Sequence, residues 1–111
     1  MLSRRNRVSS RADLLAVRRR GMAVRGGGLT VRALRTGKPV SRFAFVVSNK
    51  VSKRATERNR LRRQLREIVR HWLPTVASGY DVVVTVQPGL PVRPTAALAD
   101  ALRDLWRRAT R

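Results

Sequence analysis

The stretch Glu57-Arg58-Asn59-Arg60-Leu61-Arg62-Arg63-Gln64-Leu65-Arg66-Glu67-Ile68-Val69-Arg70 holds six arginines in fourteen residues, interleaved with apolar residues at helical spacing. At roughly 100° per residue, Leu61, Leu65, Ile68 and Trp72 fall in one narrow stripe of a helix. Asn59, Arg62, Arg63, Arg66 and Arg70 gather on the opposite side. The spacing therefore predicts a helix with one face for a core and another that holds guanidinium groups in water. Each guanidinium is a planar, permanently charged fork of donors that meets a phosphate with two parallel hydrogen bonds. An ordinary solvated face would mix signs, whereas Glu57 and Glu67 are the only acids in this stretch. Like charges along a helix repel, and a polyanion outside the protein would relieve that repulsion.

The whole chain has the same bias. Its 111 residues suit one domain with a modest core, and 26 basic against 6 acidic residues give a formal charge of +20. Such a charge speaks about partners, not fold: nucleic acid first, an anionic membrane surface second. All the basic residues are arginine except Lys38, Lys50 and Lys53. Bidentate phosphate contacts explain that preference, and so does a codon bias toward arginine; composition does not separate them. With no cysteine, disulfides, thiolate metal sites and thiol catalysis are excluded. No apolar run approaches the ~20 residues that span a bilayer, and no apolar segment follows the basic N-terminus as in a secretory signal. A cytoplasmic location without a membrane partner is expected.

Working outward, residues 1–9 read as an extended basic arm. Ser10 and Asp13 mark a helix start and Gly21 its stop; the helix carries Leu14, Leu15 and Val17, then Arg18-Arg19-Arg20. Gly26-Gly27-Gly28 precedes a strand, not a helix, so it reads as a flexible turn and not a phosphate cradle. Leu29 to Leu34 alternates as a strand, with Leu29, Val31 and Ala33 on one face and Thr30, Arg32 and Leu34 on the other. Gly37-Lys38-Pro39 turns the chain into Arg42–Val47, read as the second strand of a hairpin. A basic connection with Lys50, Lys53 and Arg54 leads to the arginine helix, which Pro74 and Gly79 end. Tyr80–Val86 is nearly continuous β-branched sequence, as in a strand covered on both sides, and Pro88, Gly89 and Pro91 break it. Thr95 caps a last helix with the stripe Leu98, Leu102, Leu105 and Ala109. The expectation is a single α+β domain, an α/β sandwich in the order α-β-β-α-β-α with room for one extra short strand.

Catalytic residues are hard to find. Asp13, Glu57, Glu67, Asp81, Asp100 and Asp104 are scattered, with no pair spaced for general acid–base work or for two metal ions. His71, the only histidine, sits near the end of the arginine helix, where a cation suits the helix dipole. Trp72 and Trp106 lie on or beside apolar stripes and read as core. If the chain takes part in hydrolysis, the chemistry comes from elsewhere. The second face of the first strand, with Thr30 and Arg32 beneath the first helix, is either a cationic groove for single-stranded nucleic acid or an ordinary solvated sheet face.

Phe45-Val46-Val47-Ser48-Asn49-Lys50-Val51, running through Arg58-Asn59-Arg60-Leu61-Arg62-Arg63 to Arg66-Glu67, resembles the signature of the bacterial ribonuclease P protein component. In that family a strand ending in Val-Ser-Lys-Lys-Val precedes the Arg-Asn-Arg helix at this distance. Asn6-Arg7-Val8, the segment Asp13 to Gly21, and Gly79 to Val84 with Pro88-Gly89 extend the likeness over nearly the whole chain. The resemblance implies a small basic subunit that binds a catalytic RNA and assists in removing the 5′ leader from precursor tRNA. It further implies magnesium held mainly by the RNA, no obligate protein partner, and a left-handed crossover between parallel strands. By position, Arg58, Asn59, Arg60, Arg62, Arg63 and Arg66 correspond to the helix facing the RNA. Lys50, Lys53, Arg54 and Arg70 flank it and are assigned to the same surface. The leader cleft maps onto Leu14, Arg18, Thr30, Arg32 and Val46.

The chain departs from the family where aromatic rings are usual: it has Leu14, Arg18 and Arg32 there, and Asn49 replaces a typical lysine. Guanidinium contacts in place of stacking imply weaker base preference and a steeper salt dependence. Other readings fit less of the chain. The basic helix of zipper proteins continues into leucine heptads, but here Trp72-Leu73-Pro74 intervenes. A general RNA-binding or ribosomal protein shares the charge but not the motif register. A membrane-surface helix does not account for the surrounding strands.

Overall fold

The computed structural model describes residues 2–73, 78–90 and 95–110. After a short 3-10 turn at Arg4–Asn6 come α1 (Arg11–Arg20), β1 (Met22–Gly26), β2 (Leu29–Arg35), β3 (Arg42–Val47), α2 (Ala55–Trp72), β4 (Tyr80–Val86) and α3 (Thr95–Ala109). The extra short strand is β1, which makes a hairpin with β2 across Gly27 and Gly28. Both glycines have positive φ, 58° and 84°, the backbone that a two-residue hairpin turn between right-twisted strands requires.

The strands run in the order β1-β2-β4-β3. β2 and β3 are therefore not hairpin partners, contrary to expectation. β4 lies between them, antiparallel to β2 and parallel to β3, and α2 carries the crossover from β3. The reason lies in the burial each strand needs. A strand that is apolar on both faces loses least in the centre of a sheet, covered above and below, and β4 is the one with that composition.

Registered rows cross the sheet. Val31, Val84 and Phe45 form one row, Ala33, Val82 and Phe43 a second, and Leu29, Val86 and Val47 a third. All nine are buried, and α2 and α3 close over them with Leu65, Ile68, Val69, Trp72, Leu98, Leu102, Leu105 and Ala109. Trp106 joins this core, its ring 5.5 Å from Phe43 and 5.6 Å from Tyr80. Both tryptophans are core residues, as their stripes predict.

The N-terminal segment is not an extended arm. Leu2 and Val8 are buried, Val8 N–H donates to the Phe43 carbonyl at 2.9 Å, and Asn6 Nδ2 donates to the Ser41 carbonyl at 3.1 Å. β3 is an edge strand, and this segment covers part of its open hydrogen-bonding side. Gly79, expected to help end α2, instead leads into β4 with φ 91°; its carbonyl accepts from Thr36 N–H at 2.6 Å. Helix α2 closes with Leu73 N–H donating to Val69. Pro74, Pro91 and the Thr95 side chain, read as breakers and cap, lie outside the described residues.

Helix α1 packs on the other face of the sheet, over β2 and β4. Ser10 caps it by accepting from Asp13 N–H at 3.2 Å, and Val17 is its one fully buried side chain. So small a buried face needs help. Arg42 on β3 donates to both oxygens of buried Asp81, at 2.9 and 2.6 Å, and to Asp13 of α1 at 3.0 Å. Hydrogen bonds to Asp81 raise the Arg42 pKa further above its ordinary value, with burial opposing them in part, so the guanidinium stays charged.

Candidate nucleic-acid interface

Helix α2 presents its polar face as its periodicity predicts. Arg58 is partly engaged within the protein, donating to the Ser52 carbonyl at 2.9 Å, so it holds the preceding loop against the helix. Arg54 and Arg70 have acid neighbours, Glu57 at 3.6 Å and Glu67 at 2.7 Å. The Arg70 hydrogen bond holds the Glu67 carboxyl below its usual range. Arg62 donates to Asn59 Oδ1 at 2.8 Å, which orients both side chains. Among the described residues, Arg60, Arg62, Arg63 and Arg66 have no carboxylate partner. Asn59, Arg62, Arg63, Arg66 and Glu67 enclose a shallow depression on this face. Lys50 and Lys53 are exposed in the loop that leads to the helix.

Beneath α1 lies a cleft of about 510 Å³, within the size range of small-ligand sites. Of the five residues the family resemblance placed there, Leu14, Arg18, Arg32 and Val46 line it. Thr30 does not. It lies on the same face of the sheet but is buried, and its hydroxyl accepts from Gln87 Nε2 at 2.8 Å. Arg11 and Leu15 of α1 and Val83 and Thr85 of β4 complete the walls. Val83 and Thr85 were not legible beforehand: the hairpin reading put β3 beside β2, which removes β4 from the cleft floor. Arg32 Nη1 donates to the Arg18 carbonyl at 2.9 Å, so it closes the end of α1 while standing at the cleft wall. Gly21 permits that approach, since a Cβ there would lie 2.5 Å from the Val17 carbonyl oxygen and 3.0 Å from the Arg32 side chain.

A third depression follows β3, with Arg4, Arg7 and Arg66 around Phe43, Ala44 and Phe45. Reading residues 1–9 as an arm missed Arg4 and Arg7; the signal was Leu2 and Val8, apolar residues set in a basic run. Arg7 Nε is buried without a hydrogen-bond partner among the described residues. This depression joins the other two. Arg66 belongs both to it and to the α2 face, and Leu14 and Val46 belong both to it and to the cleft. The two predicted surfaces thus adjoin through this depression, with arginines in each part and the apolar Leu14 and Val46 at the join with the cleft.

The acids are mostly turned to arginines: Asp13 and Asp81 to Arg42, Glu57 to Arg54, Glu67 to Arg70, Asp104 to Arg108. Among the described residues no three His, Cys, Asp or Glu side chains gather as a metal-ligand set. His71 is exposed, 4.0 Å from Glu67. No helix among the described residues is long and apolar enough to cross a membrane.

A family model for Ribonuclease P matches residues 2–110. The ribonuclease P protein component of Clavibacter michiganensis is 36% identical over 112 residues, spanning 100% of this chain and 98% of the relative. That of a Pseudanabaena species is 36% identical over 110 residues, spanning 98% and 95%. Among solved structures, the RNase P protein of Thermotoga maritima superposes with a TM-score of 0.83 at 28% identity, covering 92% of this chain and 96% of that one. A Staphylococcus aureus RNase P protein, at 20% identity and a TM-score of 0.82, shares the fold. The chain belongs to the ribonuclease P protein family, the protein component of a ribonucleoprotein endonuclease that assists its RNA subunit in removing the 5′ leader from precursor tRNA.

Proposed function

We propose that this chain grips the RNA subunit with the arginine face of α2 and guides the precursor-tRNA leader into the cleft beneath α1. The observation that carries this reading is that the three depressions adjoin through Arg66, Leu14 and Val46. A single strand leaving the RNA surface at α2 passes the Arg4–Arg7 depression and enters the cleft over the apolar step of Leu14 and Val46, with arginines on either side of it. Arg60, Arg62, Arg63 and Arg66, with Lys50 and Lys53, meet phosphates of the RNA; Arg11, Arg18 and Arg32 meet those of the leader. Fixed guanidinium forks position a backbone without reading it.

The chemistry of cleavage belongs, on this reading, to the RNA, with magnesium held mainly there. The acids described above are mostly committed to arginines, so these residues do not fit a protein-held ion. The protein contributes by lowering the repulsion between two polyanions and by holding the leader in place, which is worth most where magnesium is too scarce to screen it.

The deciding experiment is precursor-tRNA cleavage at low magnesium by a bacterial ribonuclease P RNA, with and without the protein. Rescue of cleavage at the mature 5′ end by a protein inert alone is the expected outcome. Binding without any change in cleavage would reduce the chain to a general RNA-binding protein. Cleavage by the protein alone would place the chemistry in it.

A further inference from the structure

Resting on that reading of the cleft, we infer that Asp13 is a positioning residue for the leader. Through Arg42 it ties the first turn of α1 to the sheet, and so holds in place the cleft wall that this turn supplies. Helix α1 has little else to hold it. Val17 is its one buried side chain, and two hydrogen bonds from the sheet secure its ends. At the C-terminal end Arg32 of β2 donates to the Arg18 carbonyl at 2.9 Å. At the N-terminal end Arg42 of β3 donates to the Asp13 carboxylate at 3.0 Å. The helix thus spans from β3 to β2 with an arginine tie at each end. Arg11 and Leu14, which flank Asp13 in the first turn, line the cleft, and Asp13 itself does not.

Arg42 does not need Asp13 for its own place. The buried Asp81 carboxylate accepts from it twice, at 2.9 and 2.6 Å, so the guanidinium is a fixed post on the sheet that also reaches the helix. A carboxylate is an unfavourable tether at this spot on charge alone. Asp13 is one of 6 acids against 26 basic residues, and it stands next to a cleft that takes a polyanion, where like charge opposes binding. Removing that charge should tighten the leader if Asp13 acts only through its field. It should loosen the leader if Asp13 acts through the tie, because the charge-assisted hydrogen bond to Arg42 is lost and the first turn is no longer anchored. The two roles predict effects of opposite sign.

The test uses the holoenzyme formed with a bacterial ribonuclease P RNA. Dissociation constants are measured for a precursor tRNA and for the same tRNA without its leader, and their ratio gives the leader's contribution. Asp13→Ala, which does not disfavour helix, should cut that contribution about fivefold, the order of one partly exposed hydrogen bond. The protein's affinity for the RNA subunit, which rests on α2, should stay within about twofold. Asp13→Glu, which keeps a carboxylate opposite Arg42, should restore most of the loss. Ser10→Ala removes the helix cap but leaves the tie, and should change the leader's contribution by less than about twofold. A contribution unchanged or increased by Asp13→Ala overturns the inference and leaves the cleft reading intact. So does a loss that Asp13→Glu fails to restore, that Ser10→Ala matches, or that RNA-subunit affinity shares in full, since each would assign Asp13 to general stability. A leader that adds no affinity with the natural sequence overturns both.

Discussion

Helices α2 and α3 lie side by side on the same face of the sheet, and their buried halves are interchangeable in kind. Leu65 and Leu102 are both almost wholly excluded from solvent, and both belong to the one core. Their polar halves differ. α3 alternates signs, with Asp100, Arg103, Asp104, Arg107 and Arg108 in succession and an Arg108–Asp104 contact at 3.4 Å. α2 carries arginine after arginine with few acids to answer them. Folding asks only for the apolar stripe; what stands on the other side is open to another use. The difference between two helices with the same packing task is what supports the proposal that the RNA meets α2.

That comparison breaks first if the buried halves prove unequal. Leu65→Ala and Leu102→Ala should each destabilise the protein by about 2–5 kcal/mol in denaturant unfolding, because each removes buried methyl groups and leaves a cavity. A large cost for one and none for the other would mean the helices do not share a core. Next come the polar halves. Arg62→Ala with Arg66→Ala should weaken binding to ribonuclease P RNA by roughly tenfold per arginine at low salt and flatten the salt slope by about two. Arg103→Ala with Arg107→Ala should leave the slope unchanged, and an equal loss would erase the distinction between the faces.

A smaller effect concerns α1, which has neither a broad buried stripe nor a long helix. Ser10→Ala removes its cap and should cost about 1 kcal/mol. Hydrogen exchange should show the loss concentrated in α1, with α2 and α3 little affected. The smallest effect belongs to Glu67, the acid that interrupts the α2 face. Its carboxyl is held below the usual range by the Arg70 hydrogen bond. Its contribution to stability is therefore complete above the unfolded-state value of ~4.3 and is lost as pH falls through the lower folded value. Melting temperature followed against pH should fall slightly less steeply on that acid limb for Glu67→Gln than for the natural sequence.

Much of this molecule could be read before it was folded. The stripes Leu61-Leu65-Ile68-Trp72 and Leu98-Leu102-Leu105-Ala109, the cap at Ser10 and the alternation of β2 are local patterns, set by 3.6-residue and two-residue periods. The arginine face of α2 followed from the same wheel. The family register was legible because the Arg58-Asn59-Arg60 segment stands at a characteristic distance from the strand before it. The five cleft positions came from that resemblance, and four of them do line a single cleft.

What the tertiary structure alone decided concerns residues far apart in the chain. The place of β4 between β2 and β3 depends on which strand must be covered on both faces, a property of the whole sheet. That placement puts Thr85 and Val83 on the cleft floor. Thr30 does not line the cleft: it is buried, and its hydroxyl accepts from Gln87, fifty-seven residues away. Arg4 and Arg7 joined this surface because Leu2 and Val8 are buried and draw the N-terminus onto the sheet. Sequence by itself determined which faces are apolar and which are cationic, since both depend on side chains a turn or a pleat apart. Only packing decided which cationic faces meet, because burying the apolar ones leaves the chain few ways to arrange the rest.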